Sequence, residues 1–299
     1  MLWLIVTILA YFFLAIVSLF DRYFLVGAIP NYRIYTFYVG VLWSFLCLFL
    51  IPLGVSFPET NIIFLGIIAG LVRIFAILFL TKSIIQSEVS RVVPSIGGLL
   101  PIFSFLLFFF YLPKTETLNL FQIVAFIFFV SGSVLISLKK LSFNFFSFKY
   151  PIIAAFLFAL TFFLTKLLFL KANFLSGFFL ILLGGGMGAI SFLIFSQNRK
   201  LIFSQEITHK LSGFFLLGQL FGGLGVYFQY YAVFLAKPGQ VPLINALEGT
   251  RYIFLLFFVF LLSRWNPQIL KEEISRKIIF QKVIAILLIG GGLALLTFK

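Results

Sequence analysis

Glu248 and Arg251 lie one helical turn apart in the apolar segment VPLINALEGTRYIFLLFFVFLL, residues 241–262. Together with Asn245 and Tyr252, their spacing places four polar side chains on one face of a helix. The span begins near Pro238–Gly239, so Glu248 lies about ten residues in, roughly 15 Å along a helix and close to the middle of a bilayer. An uncompensated charge at that depth costs at least about 2.5–3.5 kcal/mol. We therefore expect a substrate or coupling-ion site; a purely structural Glu248–Arg251 pair is the alternative.

Arg73 lies in the middle of a second apolar segment, GIIAGLVRIFAILFL. The segment contains no acidic residue, so the counter-ion must be Glu248, Glu88 or a bound anion. We expect Arg73 to bind an anionic substrate, with a structural pair to Glu248 as the alternative.

Lys166 and Gln229 are weaker candidates. Lys166 is near the end of its apolar segment and is expected either to snorkel to the headgroups or to contact substrate. Gln229 begins QYYAVFLAKPGQVP, in which the two tyrosines are typical of an interfacial aromatic belt. The predicted substrate-binding residues are therefore Arg73, Lys166, Gln229, Asn245, Glu248 and Arg251. Glu248 is also the candidate for proton coupling.

The composition indicates which elements position these residues. Hydrophobic residues make up 63% of the 299 residues and charged residues only 10%, whereas a soluble domain is about 25% charged. Continuous apolar runs without period-two alternation predict membrane-spanning helices. We therefore expect an all-α integral membrane protein that crosses the membrane ten times. The predicted spans are 2–20, 34–52, 61–81, 90–112, 118–138, 151–170, 174–196, 211–235, 240–262 and 279–297.

The two halves of the chain resemble each other. Pro94 aligns with Pro242, and Gly70 with Gly218, both at an offset of 148 residues. This predicts two five-helix repeats, residues 1–148 and 149–299, within one membrane domain. Because five is odd, the repeats must have opposite orientations, an arrangement that secondary transporters use for alternating access. Glycine pairs four residues apart predict close helix packing; the pairs are Gly66/Gly70, Gly184/Gly188 and Gly218/Gly222.

The net charge of +14 is spread over short connections rather than gathered on a soluble module, which argues against nucleic-acid binding. Fifteen Lys and Arg residues fall in the odd-numbered connections and five on the other side. The positive-inside rule then places both termini outside, with anionic lipids at the basic loops. Segment 266–278 is expected to form a short surface helix.

The chain has one cysteine and one histidine, Cys47 and His209. These two residues are too few for a metal cluster or for His-based catalysis. We therefore expect no cofactor, no metal and no enzymatic activity.

The chain resembles the drug/metabolite transporter superfamily, specifically its EamA-like ten-helix branch. The likeness is carried by SRVVPSIGGLLPIFSFLLFFFYL and its counterpart PGQVPLINALEGTRYIFLLFFVFLL, and by FVSGSVLIS and LIGGGLALL. The Gly-Glu pair that many members have after the fourth and ninth spans is missing. The resemblance implies a central cavity between the halves and transport of small metabolites, commonly export. It also implies cytoplasmic termini, opposite to the charge count.

These features favour a secondary transporter, an exporter of a small polar or anionic metabolite, with its site at the membrane midplane. Alternating access would rock the repeats about that site. The alternative is a flippase for a lipid or lipid-linked phosphate. The expected location is a prokaryotic plasma membrane, with a small molecule as the substrate.

Overall fold

The computed structural model describes residues 2–25, 29, 31–86, 89–111, 119–137, 145–204, 209–265 and 276–297. Within these ranges the chain is helical and contains no strand. The helices are α1 (Leu2–Tyr23), α2 (Tyr32–Leu50), α3 (Thr60–Gln86), α4 (Val89–Tyr111), α5 (Leu120–Ser137), α6 (Phe145–Phe169), α7 (Phe174–Ser191), α8 (Ser196–Phe203), α9 (His209–Leu235), α10 (Val241–Ala246), α11 (Glu248–Trp265) and α12 (Arg276–Thr297).

Five segments of the described residues are long and apolar enough to cross a membrane. They are Leu2–Asp21, Tyr32–Leu53, Thr60–Gln86, Lys149–Phe169 and Phe174–Ile194. Each of the other predicted spans overlaps a helix as well, but the count of ten crossings stays a prediction. The surface helix predicted for 266–278 falls mostly outside the described residues, and α12 already begins at Arg276.

The ninth predicted span is not one continuous helix. It is divided into α10 and α11, with Leu247 in a turn between them. The predicted span over 240–262 therefore consists of two helices. The interruption lies next to Glu248, which begins α11.

Extensively packed helix pairs include α1 with α9, α3 with α6, α2 with α7, and α5 with α12; α3 with α7 and α4 with α6 pack to a similar extent. The two predicted repeats equate α1 with α6, α2 with α7, α3 with α9 and α5 with α12. Under this correspondence the α1–α9 pair is equivalent to the α3–α6 pair. The α2–α7 and α5–α12 pairs are each equivalent to themselves. The match is incomplete, because α3 packs extensively on α7 whereas its counterpart, α9 with α2, makes little contact. The pairing is compatible with two repeats, and their inverted orientation stays a prediction.

Glycines allow α3 and α7 to approach closely. A Cβ placed on Gly70 would lie 2.6 Å from the backbone nitrogen of Gly185 and 2.9 Å from the carbonyl carbon of Gly184. Both atoms are backbone, so neither can rotate away. The helices must therefore approach at glycine, which confirms the packing role predicted for Gly70 and Gly184.

Polar contacts join the bundle at its two ends. At the end where α1 finishes, the Tyr35 hydroxyl donates to the Asp21 carboxylate and accepts a 3.1 Å hydrogen bond from Gln219 Nε2. At the other end, Ser56 N donates to Ser176 Oγ at 3.0 Å. The polar residues described next lie along the helices between these ends.

Candidate functional site

Arg73 of α3 is buried among aromatic rings. Its side chain faces α6 and α9, and the residue is only 6% exposed. The guanidinium carbon lies 5.3 Å from the ring centroid of Phe158, 5.8 Å from that of Phe162 and 5.3 Å from that of Tyr230. Rings within about 6 Å attract a cation through their negative faces. A ring face is a much weaker acceptor than an oxygen atom for the hydrogen bonds that a guanidinium donates.

The guanidinium of Arg73 is short of hydrogen-bond acceptors. Its Nη2 donates to Gln229 Oε1 at a long 3.4 Å. Nε and Nη1 are buried and have no partner. No described carboxylate lies within ion-pair distance of Arg73, because Glu248 pairs with Arg251 instead. The alternative of a structural Arg73–Glu248 pair is therefore wrong.

Two buried hydroxyls lie beside Arg73, and both lack a hydrogen-bond partner: Thr165 Oγ1 and the Tyr230 hydroxyl. The Tyr230 hydroxyl is close to both Thr165 and Arg73, although it bonds to neither. Unsatisfied polar atoms are rare in protein interiors, and each calls for an explanation. Four of them meet here from three helices: two donors of Arg73 and the two hydroxyls.

Tyr230 corrects one sequence-based expectation. It was assigned to an interfacial belt, but it is fully buried at 0% exposure. Neither Thr165 nor Tyr230 was among the predicted site residues. The available signal was spacing, since Phe158, Phe162 and Thr165 share one face of α6.

Glu248 and Arg251 form the ion pair that the sequence analysis gave as the structural alternative, with 3.3 Å between Arg251 Nη1 and Glu248 Oε1. The shorter bonds of Arg251 go to Ser18 of α1, whose hydroxyl oxygen accepts from Nη2 at 2.8 Å and from Nε at 3.0 Å. The pair therefore does more than link α11 to itself. It also joins α11 to α1.

The interruption between α10 and α11 is held by side chains from other helices. The Tyr11 hydroxyl of α1 donates to the carbonyl oxygen of Ile244 at 2.8 Å. Asn245 is fully buried, and its Nδ2 donates to Ser104 Oγ at 2.9 Å, whereas its Oδ1 has no partner. Carbonyls near a helix interruption in a membrane must find such partners, because lipid offers none.

Gln229 of α9 is buried and faces Arg73, since its side-chain oxygen accepts from Arg73 Nη2 at 3.4 Å. Five of the six predicted site residues thus fall into two groups. Arg73 lies with Gln229, whereas Asn245, Glu248 and Arg251 belong to the α10–α11 segment.

Lys166, the sixth predicted residue, does not snorkel to the surface. It is 3% exposed, and its ammonium donates to the carbonyl oxygens of Val233, Phe234 and Ala236 at 3.1, 3.2 and 2.5 Å. These carbonyls lie at the C-terminal end of α9, which has a partial negative charge that favours a cation. Lys166 therefore fastens α6 to the end of α9.

The described residues define an all-helical protein with several membrane-length apolar helices, compatible with a multi-pass membrane protein. They bring no three His, Cys, Asp or Glu residues together as a metal site would need. The centre of the bundle instead offers a buried cation with unused donors.

Fifteen chains of solved structures match this protein in fold. One is a crystal structure that superposes with a TM-score of 0.66, covering 99% of this chain and 95% of that chain at 18% sequence identity. At that identity the likeness shows the fold alone. No protein-family model and no curated protein matches the chain, so the EamA-like likeness remains a resemblance.

Proposed function

We propose that this protein is a secondary transporter, an exporter of a small anionic metabolite, and that Arg73 binds the anion. One observation carries the proposal: the Arg73 guanidinium is buried, has two unpartnered donors and has no described carboxylate within ion-pair distance. A carboxylate or phosphate supplies the missing charge and the missing acceptors together.

A structural role for Arg73 is disfavoured on energetic grounds. A buried charge stabilises a fold only when its partners compensate for the lost hydration, and desolvation costs several kcal/mol per ion. The three aromatic rings offset part of this cost, at about 0.5–2 kcal/mol each. An apolar side chain would fill the same space without the penalty, so the cation is best explained by a ligand.

Alternating access is supported by the helix arrangement. Arg73 belongs to the first predicted repeat, whereas Thr165, Gln229 and Tyr230 belong to the second. A ligand bound among them touches both halves, so movement of one half against the other changes its surroundings. The second predicted repeat also contains a helix interruption at Leu247, and transporters use interrupted helices for substrate and ion sites. Glu248 at this interruption is the proposed proton carrier, and the proposed location is a prokaryotic plasma membrane.

The test is the thermal unfolding of the purified protein with acetate, succinate or inorganic phosphate, and with choline and sorbitol as cationic and neutral controls. A ligand at 100 times its Kd stabilises the folded state by about 2.7 kcal/mol. We expect an anion to stabilise the parent and the Arg33→Gln variant but not Arg73→Gln. Arg33 is a matched control, because its Nη1 is hydrogen-bonded to Asn198 Oδ1 at 2.8 Å.

Proteoliposomes loaded with the stabilising anion should then release it faster than protein-free liposomes loaded with the same anion. Arg73→Gln should abolish this difference in release rate. Equal stabilisation of the parent and Arg73→Gln would contradict the assignment. Binding restricted to anions with a lipid tail would replace the metabolite exporter with a flippase.

A further inference from the structure

We propose that the anion bound at Arg73 is a monocarboxylate that also carries a hydroxyl group, and that Thr165 and Tyr230 recognise this hydroxyl. The inference rests on the proposed function, because it takes Arg73 as the residue that binds the carboxylate. It narrows the ligand from small anions in general to hydroxy-monocarboxylates. It also assigns a specificity-determining role to two side chains outside the six predicted site residues.

The Thr165 hydroxyl is turned away from the backbone of its own helix. A threonine in a helix commonly donates to a carbonyl oxygen in the preceding turn. Thr161, one turn earlier on α6, donates in this way to the Leu157 carbonyl oxygen at 2.8 Å. Thr165 makes no such bond, and its Oγ1 has no hydrogen-bond partner although the residue is buried. Its hydroxyl is therefore available to a ligand.

The Tyr230 hydroxyl is the second group without a partner, and the residue is fully buried. Buried tyrosine hydroxyls usually have a hydrogen-bond partner. The Tyr230 ring centroid lies 5.3 Å from the guanidinium carbon of Arg73 and 6.5 Å from the ring centroid of Phe162. Thr165 follows Phe162 by three residues and lies on the same face of α6. Two unpartnered hydroxyls, one from α6 and one from α9, therefore lie beside the guanidinium.

A neutral hydroxyl of the ligand suits these two groups better than a carboxylate does. Each of the two side-chain hydroxyls has a proton to donate and lone pairs that accept, whereas an ionised carboxylate only accepts. A ligand hydroxyl can donate to one of them and accept from the other, which satisfies both. The carboxylate of the same ligand then bonds to the guanidinium, which only donates.

The charges around the site favour one carboxylate rather than two. Lys166 donates to carbonyl oxygens of α9, and Arg251 pairs with Glu248. Arg73 therefore supplies a single positive charge to a ligand, and a second carboxylate would be desolvated without a cation of its own. A doubly charged phosphate meets the same obstacle.

The experiment measures Kd by isothermal titration calorimetry on the purified full chain at neutral pH. The ligands are propionate, both enantiomers of lactate, the β-hydroxy isomer of lactate, succinate and inorganic phosphate. We expect at least one hydroxy acid to bind at least about tenfold more tightly than propionate, because propionate leaves the buried hydroxyls unpaired. Succinate and phosphate should bind more weakly than propionate.

Two nearly isosteric variants identify the hydroxyls that recognise the ligand. Thr165→Val and Tyr230→Phe should each reduce the preference for the hydroxy acid over propionate by at least about threefold, while the Kd of propionate stays within about twofold of the parent value. Neither should lower the unfolding temperature of the ligand-free protein, because each removes a hydroxyl that has no partner. Thr161→Val is the matched control, since its hydroxyl is bonded to its own helix, and it should keep the full preference.

Equal binding of propionate and the hydroxy acids by the parent would overturn the inference and leave the proposed function standing. So would a loss of propionate binding in Thr165→Val and Tyr230→Phe as large as that of the hydroxy acid, since the hydroxyls would then hold the carboxylate itself. Tighter binding of succinate or phosphate than of every monocarboxylate would overturn the inference as well. If no anion binds the parent, the proposed function fails and the inference fails with it.

Discussion

Replacing Arg73 with methionine should make the ligand-free protein more stable. Methionine is long and apolar, and its sulfur packs favourably against rings, so it can occupy the space between Phe158, Phe162 and Tyr230. The substitution removes a buried charge and two donors that have no partner. Each unsatisfied donor costs about 1–3 kcal/mol, and desolvation of the charge adds to that cost.

Two terms oppose this gain. The cation–ring contacts contribute about 0.5–2 kcal/mol each, and methionine recovers part of this through sulfur–aromatic contacts. The single long bond to Gln229 contributes about 1 kcal/mol or less. We therefore expect Arg73→Met to raise the free energy of unfolding by about 1–4 kcal/mol, the range found when buried ionic groups are replaced by apolar ones. Stabilisation by anions should disappear at the same time.

Arg251→Met is the matched comparison, because this arginine has partners. Its removal leaves the Glu248 carboxylate without its ion pair and Ser18 without two bonds, so stability should fall by about 3–5 kcal/mol. Both variants can be measured by reversible unfolding in mixed detergent micelles, followed by tryptophan fluorescence. If Arg73→Met loses as much stability as Arg251→Met, Arg73 is a structural residue and the argument for an anion site fails.

Two further predictions concern packing and the end of α9. Lys166→Met should lower the free energy of unfolding by about 2–4 kcal/mol, because it leaves helix-end carbonyls unbonded; Lys171→Met, at an exposed position nearby, should change it by less than about 0.5 kcal/mol. Gly70→Ala should cost about 1–3 kcal/mol by forcing α3 away from α7. Gly223→Ala, whose Cβ would meet nothing within 4 Å, should be neutral or stabilising. The same unfolding assay measures all four, and equal effects within either pair would contradict the packing described.

The sequence predicted the helices well where local chemistry sets their limits. The seventh span was predicted to begin at residue 174, and α7 begins at Phe174 because Asn173 caps it by accepting from Ser176 N. The spacing of apolar residues and the positions of turn residues are local features, so helix limits can be predicted from them directly. The interruption at Leu247 could not be placed in the same way, because the nearby Ile244 carbonyl bonds to a side chain 233 residues away.

The buried charges show the same limit. Sequence alone indicated that Arg73 needed a counter-ion and named Glu248 as one candidate. Whether that pair forms depends on how α3, α6, α9 and α11 pack, and the partner that Arg73 does contact lies 156 residues away. Burial within an apolar run and the local Glu248–Arg251 pair could be predicted, but the distant partners of Arg73 and Lys166 could not.

The three cations of the candidate site are compensated in three different ways. Lys166 has the carbonyls at the end of α9, and Arg251 has Ser18 and Glu248. Arg73 has aromatic rings and one long bond. The fold supplies hydrogen-bond acceptors to Lys166 and Arg251. A general shortage of acceptors in the bundle therefore does not explain why Arg73 has so few. Arg73 is the least compensated of the three cations, so binding energy is available there to a ligand, and its positive charge selects an anion.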